Sequence, residues 1–158
     1  MKKKHNELII RANEILLDKN NVVNIVQSYP GKDESGKERT FEGINESYNG
    51  QTAALGVTIA MSGLLPALAI YYKETSNKDS NCDKKKILNA VAMMIKDPKT
   101  GEYMFAEKDQ PCKALFEFAI NSTDEDMLAW LQREVIDCSI ALKHVIRTFK
   151  QKKNNDEK

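Results

Sequence analysis

Twenty consecutive residues, AALGVTIAMSGLLPALAIYY from Ala53 to Tyr72, carry no charged side chain. An apolar helix of about that length crosses a bilayer, so the stretch decides between a membrane segment and the interior of a folded domain. Its surroundings favour the interior. Of 158 residues, 30% are charged, and the mean hydropathy is -0.53. These are the values of a water-soluble globular chain long enough to bury a core of its own. The stretch is also interrupted by Gly56, Thr58, Ser62, Gly63 and Pro66. Proline is tolerated only in the first turn of a helix, so Ser62-Gly63-Leu64-Leu65-Pro66 predicts the end of one helix and the start of the next. The expectation is two helices, both largely buried, and no membrane span.

The amino-terminal MKKKHNE is followed by further charges in LIIRANEILLDK, which breaks the apolar core that a signal peptide needs. A cytoplasmic chain is expected. Cys82, Cys112 and Cys138 are odd in number, far apart and without a Cys-x-x-Cys pair. They read as thiols in a reducing compartment and not as a disulfide framework or zinc knuckle. A net charge of +1 excludes a general polycation, so any nucleic-acid contact must come from a local patch.

Helical spacing dominates. Leu8, Ala12, Ile15, Val22 and Val26 predict a long first helix ending near Tyr29-Pro30-Gly31, with a fray or kink at Asn20-Asn21. Pro30 to Thr40 reads as a polar, mobile loop. Phe41, Ile44, Tyr48, Leu55 and Ile59 predict a second helix from about Thr40, in which Gly43, Gly50 and Gly56 mark close approach of a neighbour or a break near Gly50. A third helix follows from Gly63 to Glu74. After the polar connector TSNKDSNCDKKK, a fourth helix carries Ile87, Leu88, Val91, Met94 and Ile95 and stops at Asp97-Pro98. KTGEYMF is the one place for a brief strand, and Pro111 opens a short fifth helix. Ser122 as N-cap with Glu125 three residues on forms a capping box. It starts a last helix of about 27 residues, with Leu128, Leu131, Val135, Cys138, Leu142, Val145 and Phe149 as one apolar seam. The fold class is all-α: a compact bundle of five or six helices with long first and last members. Residues 1–150 form a single domain and 151–158 a charged, disordered tail.

Catalytic chemistry is hard to place. His5 lies in a charged terminus and reads as solvated. His144 lies away from the seam of the last helix and points to a different face from Cys138. Asp124, Glu125 and Asp126 occupy a first helical turn, where acids favour the helix dipole. No phosphate loop, dinucleotide fingerprint, nucleophile elbow or zinc-protease motif is present. No enzyme, cofactor or metal is expected.

At about 100° per residue, Arg133, Ile136, Ile140, Lys143 and Arg147 fall on one stripe roughly opposite the seam, with Lys150 bordering it. Two readings stay open. The stripe is a solvated face with two isoleucines touched by a neighbour, or it is a contact surface in which arginine beside apolar surface holds a phosphate backbone or a protein.

The segment SGLLPALAIY, Ser62 to Tyr71, resembles the central signature of the small α-helical subunit of type III-B CRISPR effectors, the Cmr complex. Gly63-Leu64, Leu68-Ala69 and Ile70-Tyr71 fill its places. LAWLQREVIDCSIALK from Leu128 is similar to that family's closing helix, including the basic-Glu-apolar run at Arg133-Glu134-Val135. Near its end the family commonly carries Trp and a basic pair, which Lys143 and His144 match only in part. The resemblance implies a non-catalytic subunit in antiviral defence that stacks in several copies beside the backbone subunits and lines the channel of the guide–target duplex. Its implied partners are other Cmr subunits, further copies of itself, and guide RNA and target RNA contacted without sequence readout. No small-molecule substrate is implied. A type III-A small subunit, which the Gly-Leu signature argues against, and a protein-only helical adaptor or regulator are the alternatives.

Overall fold

The computed structural model describes residues 2–73 and 82–153. In chain order it contains α1 (Lys2–Leu17), β1 (Val26–Lys32), β2 (Glu38–Asn45), α2 (Glu46–Ser62), α3 (Leu64–Lys73), α4 (Lys84–Met93), α5 (Pro111–Asn121), α6 (Glu125–Ile146) and β3 (Lys150–Lys152). The chain is mostly helical, but the three strands correct the all-α expectation. Residues 74–81, which hold most of the second connector, and residues 154–158 of the tail lie outside the described residues.

The centre of the molecule is α6. Leu131, Val135, Cys138, Leu142 and Val145 of its predicted seam are buried, and α1, α2 and α4 pack around them. Each fully buried Leu or Val contributes roughly 1.5–3 kcal/mol relative to exposure. The helix is shorter than its periodicity implies. Asp124, not Ser122, is the N-cap, its side chain accepting from Asp126 N at 2.9 Å. Ser122 instead ends α5, with Oγ donating to Phe118 O. At the other end Arg147 caps the helix, and Phe149 lies in the turn beyond it.

The first helix also ends early. Asn21 Nδ2 donates to Ile15 O while its Oδ1 accepts from Val23 N, so the asparagine closes the helix and turns the chain away. The residues beyond enter an antiparallel hairpin that replaces the predicted loop and the predicted start of the second helix. Asp33 pins its turn: Oδ1 accepts from Ser35 N, Ser35 Oγ and Lys37 N, and Gly36 supplies φ +83°. Val26 and Ile44 face each other and are buried, whereas most residues further out are exposed. The hairpin is therefore an arm, about 20 Å long at 3.4 Å per residue. Gln151 and Lys152, expected in the disordered tail, belong to β3, which pairs with β2 in parallel. This pairing needs Gly43, where an added Cβ would lie 2.6 Å from Lys150 O. The close approach expected of the glycines occurs here, between strands; Gly50 in α2 has nothing within 4 Å. At KTGEYMF only a Lys96–Tyr103 bridge forms.

The uncharged stretch divides as its glycine and proline suggest. Gly63 caps α2 at φ 91°, ψ 170°, its N–H bonded to Ile59 O, and Pro66 sits in the first turn of α3. Tyr71 OH donates to Gln51 O at 2.6 Å, and Tyr48 OH accepts from Asp83 N at 3.1 Å. Together these bonds tie α2 to α3 and to the start of α4. Yet α2 is not wholly inside. Tyr48, Thr52, Leu55 and Ile59 are buried, while Val57 and Met61 are 59% and 82% exposed. No helix among the described residues is long and apolar enough to cross a membrane.

The amino end of α1 is held on α6 by polar contacts. Lys4 pairs with Glu134 and Asp137, and His5 Nε2 lies 3.3 Å from His144 Nδ1 with the rings edge-to-face. The expectation of a solvated His5 is thereby corrected. Partial burial first, then His5, Lys143 and Arg147, lower the His144 pKa. The fold thus favours neutral His144: the contact is intact above about pH 6.5 and is lost as pH falls through the lowered value.

Two outcomes follow. In an NMR titration His144 changes charge below the free-histidine midpoint, and His5→Ala moves it partly back; an unshifted midpoint contradicts the contact. In urea unfolding Gly63→Ala costs about 1–3 kcal/mol, because that backbone region is open almost only to glycine. Gly50→Ala, in open helical surface, adds up to about 1 kcal/mol.

Candidate interaction surfaces

The predicted stripe is present on the outer side of α6. Arg133, Ile140 and Arg147 are exposed, with Ile140 at 38%; Ile136 and Lys143 are half-buried. From Arg133 to Arg147 the stripe is about 21 Å long at 1.5 Å per residue. Lys150, placed at its border, lies beyond the helix in β3, where Nζ stands 4.2 Å above the centre of the Phe41 ring. The structure thus brings five of the six residues onto one helix and places the sixth on the sheet.

Charge is sorted around α6. Its acidic edge, Glu134 and Asp137, faces α1 and is bridged by Lys4. Among the described residues, Arg133, Lys143, Arg147 and Lys150 have no carboxylate within ion-pairing distance. Arg147 Nε instead donates to Asn49 Oδ1 at 3.1 Å, which tethers the guanidinium beside the start of α2. A carboxylate-free line of cations keeps its potential for an external anion.

The surface next to the stripe is apolar. Leu64, Leu65 and Pro66 of α3 and Leu128, Ala129, Gln132 and Arg133 of α6 line a groove of about 450 Å³. The exposed Val57 and Met61 lie on α2, which leads into that turn. Periodicity alone missed this surface, because a run of Ala, Val, Met and Gly gives no polar side to mark which residues face out. The sequence signal that could have found it is the missing charge itself: a helix with no charged residue after Glu46 must show uncharged surface wherever it is not packed.

A second hollow, about 340 Å³, lies between α1, α6 and the 96–103 turn. Its cations are already engaged: Arg11 donates twice to Met93 O and stacks 4.0 Å from the Tyr103 ring centre, and Lys4 is ion-paired. Burial raises all three thiols, Cys82 to about 12, away from the reactive thiolate. Among the described residues no group of three or more His, Cys, Asp or Glu is placed to hold a metal.

No curated protein and no solved structure matches the chain. The family model of the CRISPR-associated protein Cas_Cmr5 does, over residues 26–149. That span runs from the first residue of β1 to the end of the turn after α6, and it contains the hairpin, the apolar groove and the basic stripe. On a match covering most of its length, the chain belongs to the Cmr5 family of CRISPR-associated proteins.

Proposed function

We propose that the chain is a non-catalytic small subunit of a type III-B RNA-guided effector in cytoplasmic antiviral defence. It docks on other Cmr subunits and on further copies of itself through the uncharged α2–α3–α6 surface. The stripe of Arg133, Lys143 and Arg147 lies along the guide–target RNA and holds phosphates without reading bases. Chemistry belongs to other subunits. The observation that carries this reading is the adjacency of an apolar groove and a line of cations without carboxylate partners among the described residues, with Arg133 common to both. A protein needs one surface to hold its place in an assembly and another to meet the polyanion that the assembly encloses. A protein-only adaptor would use the groove and leave the cations unused.

The test reconstitutes the Cmr subunits with guide RNA and compares variants. Arg133→Glu/Arg147→Glu is expected to assemble but to hold RNA about tenfold more weakly, with the salt slope reduced by about one to two. Met61→Glu is expected to incorporate poorly, and native mass spectrometry of the wild-type assembly to show more than one copy. Full RNA retention by the arginine variant would favour the adaptor. Normal behaviour of both variants would remove the proposal.

A further inference from the structure

The hairpin arm has two chemically different faces. Strand alternation and register put Tyr29, Gly31, Asp33, Arg39, Phe41, Gly43, Lys150 and Lys152 on one face. Lys32, Glu38 and Glu42 lie on the other, where Glu42 pairs with Lys19. The first face thus carries three cations and one carboxylate. That carboxylate is already engaged by the turn and by Arg39 Nε at 2.9 Å.

On this face Phe41 lies flat. Positions where Cβ atoms would stand on Gly31 and Gly43 are 3.0 and 3.1 Å from its ring carbons, so a side chain at either would push the ring up. Tyr29 is beside it, ring centres 5.8 Å apart. Lys150 Nζ sits above the Phe41 ring, and Lys152 Nζ lies 6.0 Å from the Tyr29 ring centre. A depression of about 170 Å³ opens between Arg39, Phe41 and Lys150. Aromatic rings laid open on a sheet and flanked by cations are what a single nucleic-acid strand requires: a π-surface for an unstacked base and charge for the adjoining phosphates.

We infer that this sheet face binds single-stranded RNA, with one base stacking on Phe41 and its flanking phosphates held by Lys150 and by the terminal nitrogens of the Arg39 guanidinium, whose Nε stays on Asp33. The Lys150 ammonium, resting on the ring in the free chain, moves aside to the phosphate as the base takes its place. An acidic protein segment would use the cations but gain little from the flat Phe41 ring. A duplex presents no free base face. The inference rests on the reading of this chain as an RNA-contacting subunit and adds a second, single-strand contact to the helical stripe.

The experiment measures anisotropy of a short fluorescent oligouridylate with the full chain across a salt series, thermal unfolding confirming that each variant is folded. Arg39→Gln/Lys150→Gln is expected to lose about tenfold in affinity at ~0.1 M salt and to flatten the salt slope by about 1.4, or 0.7 per phosphate contact. Phe41→Leu keeps an apolar side chain over the glycines. It is expected to lose fivefold or more with the slope unchanged, because stacking is not electrostatic. Wild-type affinity in both variants overturns the inference. So does failure of the wild type to bind the oligouridylate, or displacement by polyglutamate or duplex RNA as readily as by unlabelled oligouridylate. Should Arg133→Glu/Arg147→Glu lose RNA while the sheet variants keep it, the sheet falls and the proposed function stands.

Discussion

One burial fixes every surface of this protein: the inner side of α6 against α1, α2 and α4. Hydrophobic attraction of this kind is non-directional, so by itself it would let an uncharged helix such as α2 roll about its axis. Polar groups choose the orientation. Tyr71 OH reaches back from α3 to Gln51 O, and Tyr48 OH receives the amide of Asp83. Burial raises the Tyr48 hydroxyl to about 12, so it remains a neutral hydrogen-bonding group. With α2 so oriented, Val57 and Met61 stay outside, uncovered by any described residue.

Charge distribution follows from the same placement. Because α1 packs on the side of α6 that bears Glu134 and Asp137, its Lys4 ion-pairs with both. On the outer side Arg133 and Arg147 meet no carboxylate among the described residues, since the adjacent helix pair, α2 and α3, has charged residues only at Glu46 and Lys73. The absence of charge that made the middle of the chain look like core also leaves the neighbouring cations unneutralised. A net charge of +1 conceals this segregation completely.

The sequence displays those features that depend on local chemistry or on a single buried side. The seam of α6 was legible because its buried positions alternate at three and four over many turns, and the break at Gly63 and Pro66 was legible because only those residues serve there. Pro111 at the start of α5 was equally plain. The hairpin was not. Val26 and Ile44 are the only large apolar residues of its strands that are buried, so the arm has polar groups on both faces and no alternation of period two. Meanwhile Phe41, Ile44 and Tyr48 happen to stand three and four apart, which imitates a helix across a strand–helix junction. The turn Asp33-Glu34-Ser35-Gly36, between runs containing Tyr29 and Phe41, was the signal to weigh more heavily. Nothing local could have paired Lys150 with Gly43, or His144 with His5. These contacts span more than a hundred residues and exist only after α6 is in place.

Lys150 lies on the sheet face, and the short turn that joins it to α6 couples that face to the helical stripe. Only Arg147 to Phe149 separate Ile146, the last residue of α6, from the first residue of β3. Hydrogen bonds from Arg147, Thr148 and Phe149 amides to Lys143, Val145 and Ile146 carbonyls close that short turn, and Gln151 Nε2 donates back to Ile146 O and Phe149 O. So tight a turn leaves β3 little freedom relative to α6, and β3 in turn is locked to β2 by the glycine that admits Lys150 O. The arm is thereby held at a fixed angle to the helical stripe and cannot swing independently at its base. A rigid offset of this kind suits a subunit that meets a duplex along one side and an unpaired strand on another, because both contacts are set in advance and binding need not order a joint between them.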